Sequence, residues 1–253
     1  NLHDAHLTYQ LCKKLLFDIL EFTKIVGLPS HNVIRMRFSK LVENYILKRA
    51  IEYNVIAPNK PIGSEMKERM EESIQGAFVY EPTPGIYENI VVFDFRSLYP
   101  TIITAHNIGP ESLQCDCCKA NKVPGREQYW FCSQDRKFIP TVLEQLVLRR
   151  VDLKRLIKDA RNKNEDTRIL DSRSYALKIL ANSFYGYLGF FNARWYCLEC
   201  AASTTAYARH YIQSTIQKAE TKGFKVVYAD TDSCFLVLED NLLDKAMEFM
   251  NEI

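Results

Sequence analysis

Long apolar runs are missing from this sequence: no stretch approaches the ~18 to 20 residues that a membrane helix needs. No basic segment followed by an apolar one opens the chain, so no secretory signal is read. Glycine and proline are scarce, nine each in 253 residues, which excludes collagen-like chains. Charge of one sign is nearly absent in sum, at +2, too little to argue for a polyanionic partner. Internal repeats and low-complexity segments are also lacking. What is present is ordinary for a globular protein: 47% hydrophobic and 25% charged residues, enough for a real core in one or two domains. Asn1 is not a methionine, and Ile253 falls inside a helical pattern. The chain is therefore expected to be a segment of a longer protein or one part of a split one.

Apolar spacing predicts a helix over residues 4–26 (Leu7, Leu11, Leu15, Ile19), ended by Gly27 and Pro29. A second helix is expected over 38–53, and the Pro/Gly/Asn stretch 56–64 is the best boundary. Strands are read at 76–80 and 89–95, and residues 107–139 as a long irregular insertion. Helices follow at 141–163, 167–184 and 198–222, then strands at 224–228 and 233–238 as a hairpin, and a last helix at 242–253. Strands and helices segregate rather than alternate, which favours an α+β fold.

Charge is uneven along this order. Residues 136–163 hold nine Lys/Arg against three Asp/Glu, a local excess of six, which is either a solvated helix face or an anion site. Arg150 and Lys154 are i, i+4 neighbours within it. In Lys178-Ile179-Leu180-Ala181-Asn182-Ser183-Phe184-Tyr185-Gly186, the polar Lys178, Asn182 and Tyr185 share one helical face, while Leu177, Leu180 and Phe184 mark another. With Arg150 and Lys154, Lys178 makes three cations, enough for a triphosphate.

Carboxylates mark the strand ends. Asp230 and Asp232 flank the hairpin turn of Tyr228-Ala229-Asp230-Thr231-Asp232-Ser233. Asp is common in turns, but two carboxylates so close repel each other, and hard divalent cations seek such oxygens. Asp94 ends an apolar strand and precedes Phe95-Arg96-Ser97-Leu98-Tyr99-Pro100. A helix cap accounts for an Asp there, though not for the aromatic and proline that follow.

The segments DFRSLYPTII, KILANSFYG and YADTDS, in this order, resemble motifs A, B and C of the family B (alpha-type) DNA-directed DNA polymerases, most closely the archaeal members. The resemblance implies a palm, an antiparallel sheet with helices, carrying a helical-hairpin fingers insertion. Residues 1–55 would be the tail of a 3′–5′ exonuclease domain and the helices after it. Residues 56–135 would be a linker and the first part of the palm, 136–190 the fingers and 191–253 the returning palm; the thumb is absent. The implied activity is addition of deoxynucleoside triphosphates to a primer 3′-hydroxyl by two-metal-ion transfer, with Mg²⁺ or Mn²⁺ held by Asp94 and Asp232 and supported by Asp230. Phe95, Ser97 and Leu98 would cradle the triphosphate, and Tyr99 would sit under the sugar and exclude a 2′-hydroxyl. Arg150, Lys154, Lys178 and Asn182 would bind the triphosphate, and Tyr185 and Gly186 would line the nascent base pair. Primer–template DNA is the implied partner, with a sliding clamp reached through regions outside this chain, in a cytoplasmic, nucleoid-associated setting. The rival reading is a catalytically inactive polymerase-like subunit that scaffolds DNA or proteins; such a subunit is expected to have lost the carboxylates that are present here.

Two departures stand out. The family's Tyr-x-Gly-Gly element is matched only by Ile74-Gln75-Gly76-Ala77, without the tyrosine. Asp4 alone represents the exonuclease acidic motifs, so proofreading is not expected of these residues by themselves.

Eight cysteines complete the reading. Cys12 and Cys234 stand alone and are expected to be buried small hydrophobes. Cys115, Cys117, Cys118 and Cys132 form a loose set, and Cys197 and Cys200 a CxxC pair. The resemblance implies disulfides Cys118–Cys132 and Cys197–Cys200, as in some heat-loving archaeal relatives. The first set also has the composition of a structural Zn²⁺ site, although Cys-x-Cys-Cys is tighter than the usual ligand pair. A disulfide with two remaining thiols, four reduced thiols and a zinc site all stay open. For the second pair, buried thiols are the alternative.

Overall fold

A computed structural model describes the chain except residues 83, 120, 239–242 and 253. Its elements run α1 (Leu2–Val26), α2 (Ser30–Val33), α3 (Phe38–Glu52), α4 (Gly63–Glu71), β1 (Val79–Tyr80), β2 (Ile90–Asp94), α5 (Leu98–Ala105), β3 (Asn121–Val123), β4 (Arg126–Phe131), α6 (Phe138–Asn162), α7 (Arg168–Leu188), α8 (Leu198–Thr221), β5 (Lys225–Asp230), β6 (Ser233–Val237) and α9 (Leu243–Glu252). The fold is α+β. The last helix was expected over 242–253, and residues 242 and 253 lie outside the described residues.

One sheet has the order β1-β5-β6-β2, with every neighbouring pair antiparallel. Alternation in β6 and a bulge between Val226 and Tyr228 in β5 set its buried face: Val226, Ala229, Cys234 and Leu236 pack against Ile212, Ile216 and Ala219 of α8 and Ala246 and Phe249 of α9. The second core is helical. Phe22 of α1, Tyr45 and Ile46 of α3, Leu143 and Leu146 of α6, and Leu180 and Phe184 of α7 meet there. Each such side chain contributes ~2 kcal/mol by leaving water.

Two buried acids are built into the helical core. Glu21 is 2% exposed and accepts from Arg173 Nε of α7 at 2.7 Å and from Lys24 Nζ at 2.8 Å. Burial opposes the ionised form of Glu21, but the two cations prevail and hold its carboxyl below the usual range. Glu43 accepts from Lys40 Nζ, Tyr187 OH and the amide of Arg194 at 3.0, 3.3 and 3.2 Å.

Three expectations change. The insertion 107–139 is not irregular throughout: β3 and β4 form a hairpin around Pro124-Gly125, with Gly125 at φ +69°, which glycine adopts without strain. Cys12 is exposed, because α1 buries the side of Glu21, Phe22 and Val26 and leaves Leu7, Leu11 and Leu15 outward. None of the eight cysteines is in a disulfide. Cys197 Sγ instead accepts from the amide of Cys200 at 3.4 Å and caps α8, with both thiols buried. No described helix is long and apolar enough to cross a membrane.

Candidate active site

The acidic residues meet at one end of the sheet. β5 and β6 are joined by the two-residue turn Thr231-Asp232, with Thr231 at φ +56°. Ser233 is the register partner of both Asp230 and Asp94, so the two aspartates lie on either side of it. The ladder runs one bond further, from the Phe95 amide to the Asp232 carbonyl at 2.8 Å. The turn is also tied to the chain before β1 by Thr231 N–H donating to Phe78 O at 3.1 Å. Asp230 accepts from Thr231 Oγ1 at 2.8 Å and from Tyr228 OH at 3.3 Å. No side-chain donor meets the Asp232 carboxylate among the described residues; its own backbone amide does. Its carboxyl is pushed up by burial and by the charge of Asp94, then by that of Asp230, against the pull of its own backbone amide and a smaller one from Lys178. None of the three carboxylates forms an ion pair among the described residues.

Beside this end lies a cationic pocket. Arg96, Ser97 and Thr101 line one wall, Arg150, Val151 and Lys154 of α6 another, and Lys178 and Ala181 of α7 the third. Ser97 adopts φ +52° at the start of α5, and its hydroxyl accepts from Arg150 Nη1 at 3.2 Å. Arg150 Nε is buried without a partner. Burial and the charge of Arg96 push the Arg150 guanidinium toward its neutral form. Arg150 does the same to Lys154, together with desolvation, Arg96 and Lys178. No acidic side chain pairs with any of these four cations among the described residues. The pocket therefore presents like charges to one another, a setting that an anion relieves.

An aromatic pair lies close to the acids. The Tyr99 and Tyr185 rings lie 4.5 Å apart between centroids. Burial, then Tyr185 and Asp232, push the Tyr99 hydroxyl up to about 12, so it stays a neutral phenol at physiological pH.

Most residues singled out from sequence thus converge: Asp94, Asp230, Asp232, Phe95, Ser97, Tyr99, Arg150, Lys154, Lys178 and Tyr185. Asn182 and Gly186 are exposed on α7 and do not line the cationic pocket. The Leu98 side chain, 6% exposed, packs into the helical core and does not line the cationic pocket. Two residues were missed. Arg96 lines the pocket, and its basic side chain within the acidic motif was the available signal. Arg209 of α8 donates to the carbonyls of Gln75 and Gly76 at 3.1 and 2.6 Å, and its charge reaches Tyr99 and Tyr185. No local pattern in α8 marks it.

Comparison with known proteins identifies the family. The profile described as DNA polymerase family B matches residues 28–253. The chain is 40% identical over its whole length to DNA polymerase 1 of Pyrococcus abyssi and 42% identical to a DNA polymerase of Thermococcus gorgonarius. It superposes on the family B DNA polymerase of Pyrobaculum calidifontis with a TM-score of 0.79 at 33% identity, covering 99% of this chain. In all three cases it spans about a third of the relative's length, 33%. The chain belongs to DNA polymerase family B.

Proposed function

We propose that this chain is the catalytic core of a template-directed DNA polymerase that extends a primer 3′-end with deoxynucleoside triphosphates. One observation carries the reading: three carboxylates without cations stand beside four cations without anions. A metal–triphosphate complex satisfies both at once. The donor set fits a hard divalent ion, since it is all carboxylate oxygen, and burial together with mutual repulsion raises Asp232. Asp94 and Asp232 would hold Mg²⁺ or Mn²⁺, with Asp230 in support. When bound, such ions make the 3′-hydroxyl a stronger nucleophile and stabilise charge on the departing pyrophosphate.

The chain's own residues do the rest. Arg150 offers a guanidinium fork and Lys154 and Lys178 point charges to phosphate oxygens. Arg96, which lines the same pocket, adds a fourth charge. The Ser97 hydroxyl keeps Arg150 oriented until phosphate replaces it. Tyr99, packed on Tyr185, forms a floor under the sugar that leaves no space for a 2′-hydroxyl. In this reading residues 136–190 are the fingers, 56–135 and 191–253 the palm, and 1–55 the end of an exonuclease domain with its following helices. Primer–template DNA is the partner, in a cytoplasmic, nucleoid-associated setting, and a sliding clamp is contacted by parts of the protein beyond this chain.

Primer extension by the complete natural gene product, with Mg²⁺, tests the reading. Asp94→Ala is expected to lower extension by at least about 10³-fold with folding intact. Tyr99→Ala is expected to admit ribonucleotides. A folded wild-type protein that binds primed DNA but never extends it would favour the inactive scaffold instead.

A further inference from the structure

A second constellation lies outside the carboxylate site. Cys115, Cys117, Cys118 and Cys132 come together where the β3–β4 hairpin returns to α6, and their four sulfurs lie within 4.8 Å of one another. Cys115 Sγ is 3.4 Å from Cys118 Sγ, Cys117 Sγ is 4.0 Å from Cys118 Sγ, and Cys117 Sγ is 3.5 Å from Cys132 Sγ. A tetrahedral ion with Zn–S bonds of ~2.3 Å needs sulfurs about 3.8 Å apart. The distances bracket that value. They also do not single out the Cys118–Cys132 pair that the family resemblance implied, since Cys132 faces Cys117 and Cys118 faces Cys115.

The surroundings suit a metal site. Ser133 donates to Cys118 Sγ from its amide at 3.3 Å and from its hydroxyl at 3.5 Å. Donors of this kind stabilise a thiolate and orient it. Four thiolates on a divalent ion leave two negative charges; Lys137, bonded to Asp135 at 2.7 Å, also lies within reach of the charges of Cys132 and Cys117. Val123 and Phe131 anchor the hairpin in the helical core. Polar bonds hold the cysteine-bearing ends: Trp130 Nε1 donates to Cys115 O at 3.1 Å, and Asn107 Nδ2 donates to Cys132 O and Asp135 O at 2.8 and 2.9 Å. Asn107 Oδ1 then accepts from the amide of Lys137, just before α6.

We propose that Cys115, Cys117, Cys118 and Cys132 bind one structural Zn²⁺ that fixes the segment 113–135 against the start of α6. The ion takes no part in the chemistry proposed above, and the two readings stand or fall separately. The tight Cys-x-Cys-Cys spacing works because the segment bends there, so the side chains of adjacent Cys117 and Cys118 converge rather than diverge.

The test is metal analysis of the complete protein, purified under reducing conditions without chelator. One zinc equivalent is expected in the wild type and in Cys12→Ser, and one fewer in Cys117→Ser and Cys118→Ser. Cobalt(II) added to chelator-stripped wild type is expected to give the visible bands and the near-ultraviolet thiolate band of a tetrahedral thiolate site. This second readout needs no variant to fold. Chelator treatment of the wild type should also expose four more thiols to a thiol-reactive dye. Equal zinc in wild type and variants, or a Cys118–Cys132 disulfide in the mass spectrum of the unreduced protein, would overturn the proposal.

Discussion

Glu21 and Asp232 are both partly or wholly buried carboxylates, yet the fold moves them in opposite directions. Glu21 sits between α1 and α7 with Arg173 and Lys24 bonded to it, and its acidity is strengthened. Asp232 sits at the end of β5–β6 with Asp94 and Asp230 as its charged neighbours, and its acidity is weakened. Cations are not scarce near Asp232: Arg96, Arg150, Lys154 and Lys178 line the adjoining pocket. The helical region pairs its charges and gains stability. The sheet end and its pocket keep theirs apart, which costs stability and leaves both sets ready for a ligand carrying both signs.

The contrast breaks most visibly when the pocket loses a charge. Arg150→Ala is expected to raise the KM for nucleotide by about 10–100-fold, because a charge-assisted contact to phosphate is lost, with Tm little changed. Steady-state kinetics on the complete protein measure it. An unchanged KM would remove Arg150 from the nucleotide site.

On the paired side the effect falls on stability. Arg173→Met should cost about 1–3 kcal/mol at pH 7, since it leaves the buried Glu21 carboxylate with Lys24 as its remaining cation. The sign with pH follows from the lowered Glu21 value. The pair stabilises the fold above the ordinary carboxyl range, and that contribution fades as pH falls through the lowered folded value. Denaturant melts at pH 7 and at acidic pH should therefore show the gap between wild type and variant closing on the acid side.

The smallest effect has the opposite sign. With its folded value raised, ionised Asp232 weighs against the metal-free fold, and this burden lifts as pH falls. Asp232→Asn is expected to raise the metal-free Tm by about 1 °C while abolishing extension. A lower Tm would mean that the turn depends on the carboxylate for its shape.

The helices and the strands flanking the acidic turn were legible because their signals are local. Leu177, Leu180 and Phe184 kept their helical spacing, and the apolar run before Asp94 became β2. The family motifs brought Asp94, Asp232 and Lys178 to one neighbourhood, which no spacing argument could have done across 138 residues. What failed was the sidedness of α1. Its regular leucine row faces outward, and the buried side is led by Glu21, a residue that reads as surface until Arg173 is placed opposite. The β3–β4 hairpin was missed although Pro124-Gly125 is a turn signal, because polar residues and cysteines around it masked the short strands. Arg209 was invisible since its partners, the Gln75 and Gly76 carbonyls, are backbone atoms far away in sequence.

The register pairing of Asp94 with Ser233 has a consequence for the order in which the molecule is made. These partners are 139 positions apart, and closing such a loop costs about 2 kcal/mol more in entropy than closing a ten-residue one. β2 lies at the edge of the sheet with β6 as its neighbour there. At ribosomal speeds of about 5–20 residues per second, β2 waits roughly 7–28 s for that neighbour to be synthesised. In the same interval α6 and α7, neighbours in sequence, have all they need to pack on each other. The helical hairpin is thus finished before the acidic junction can close.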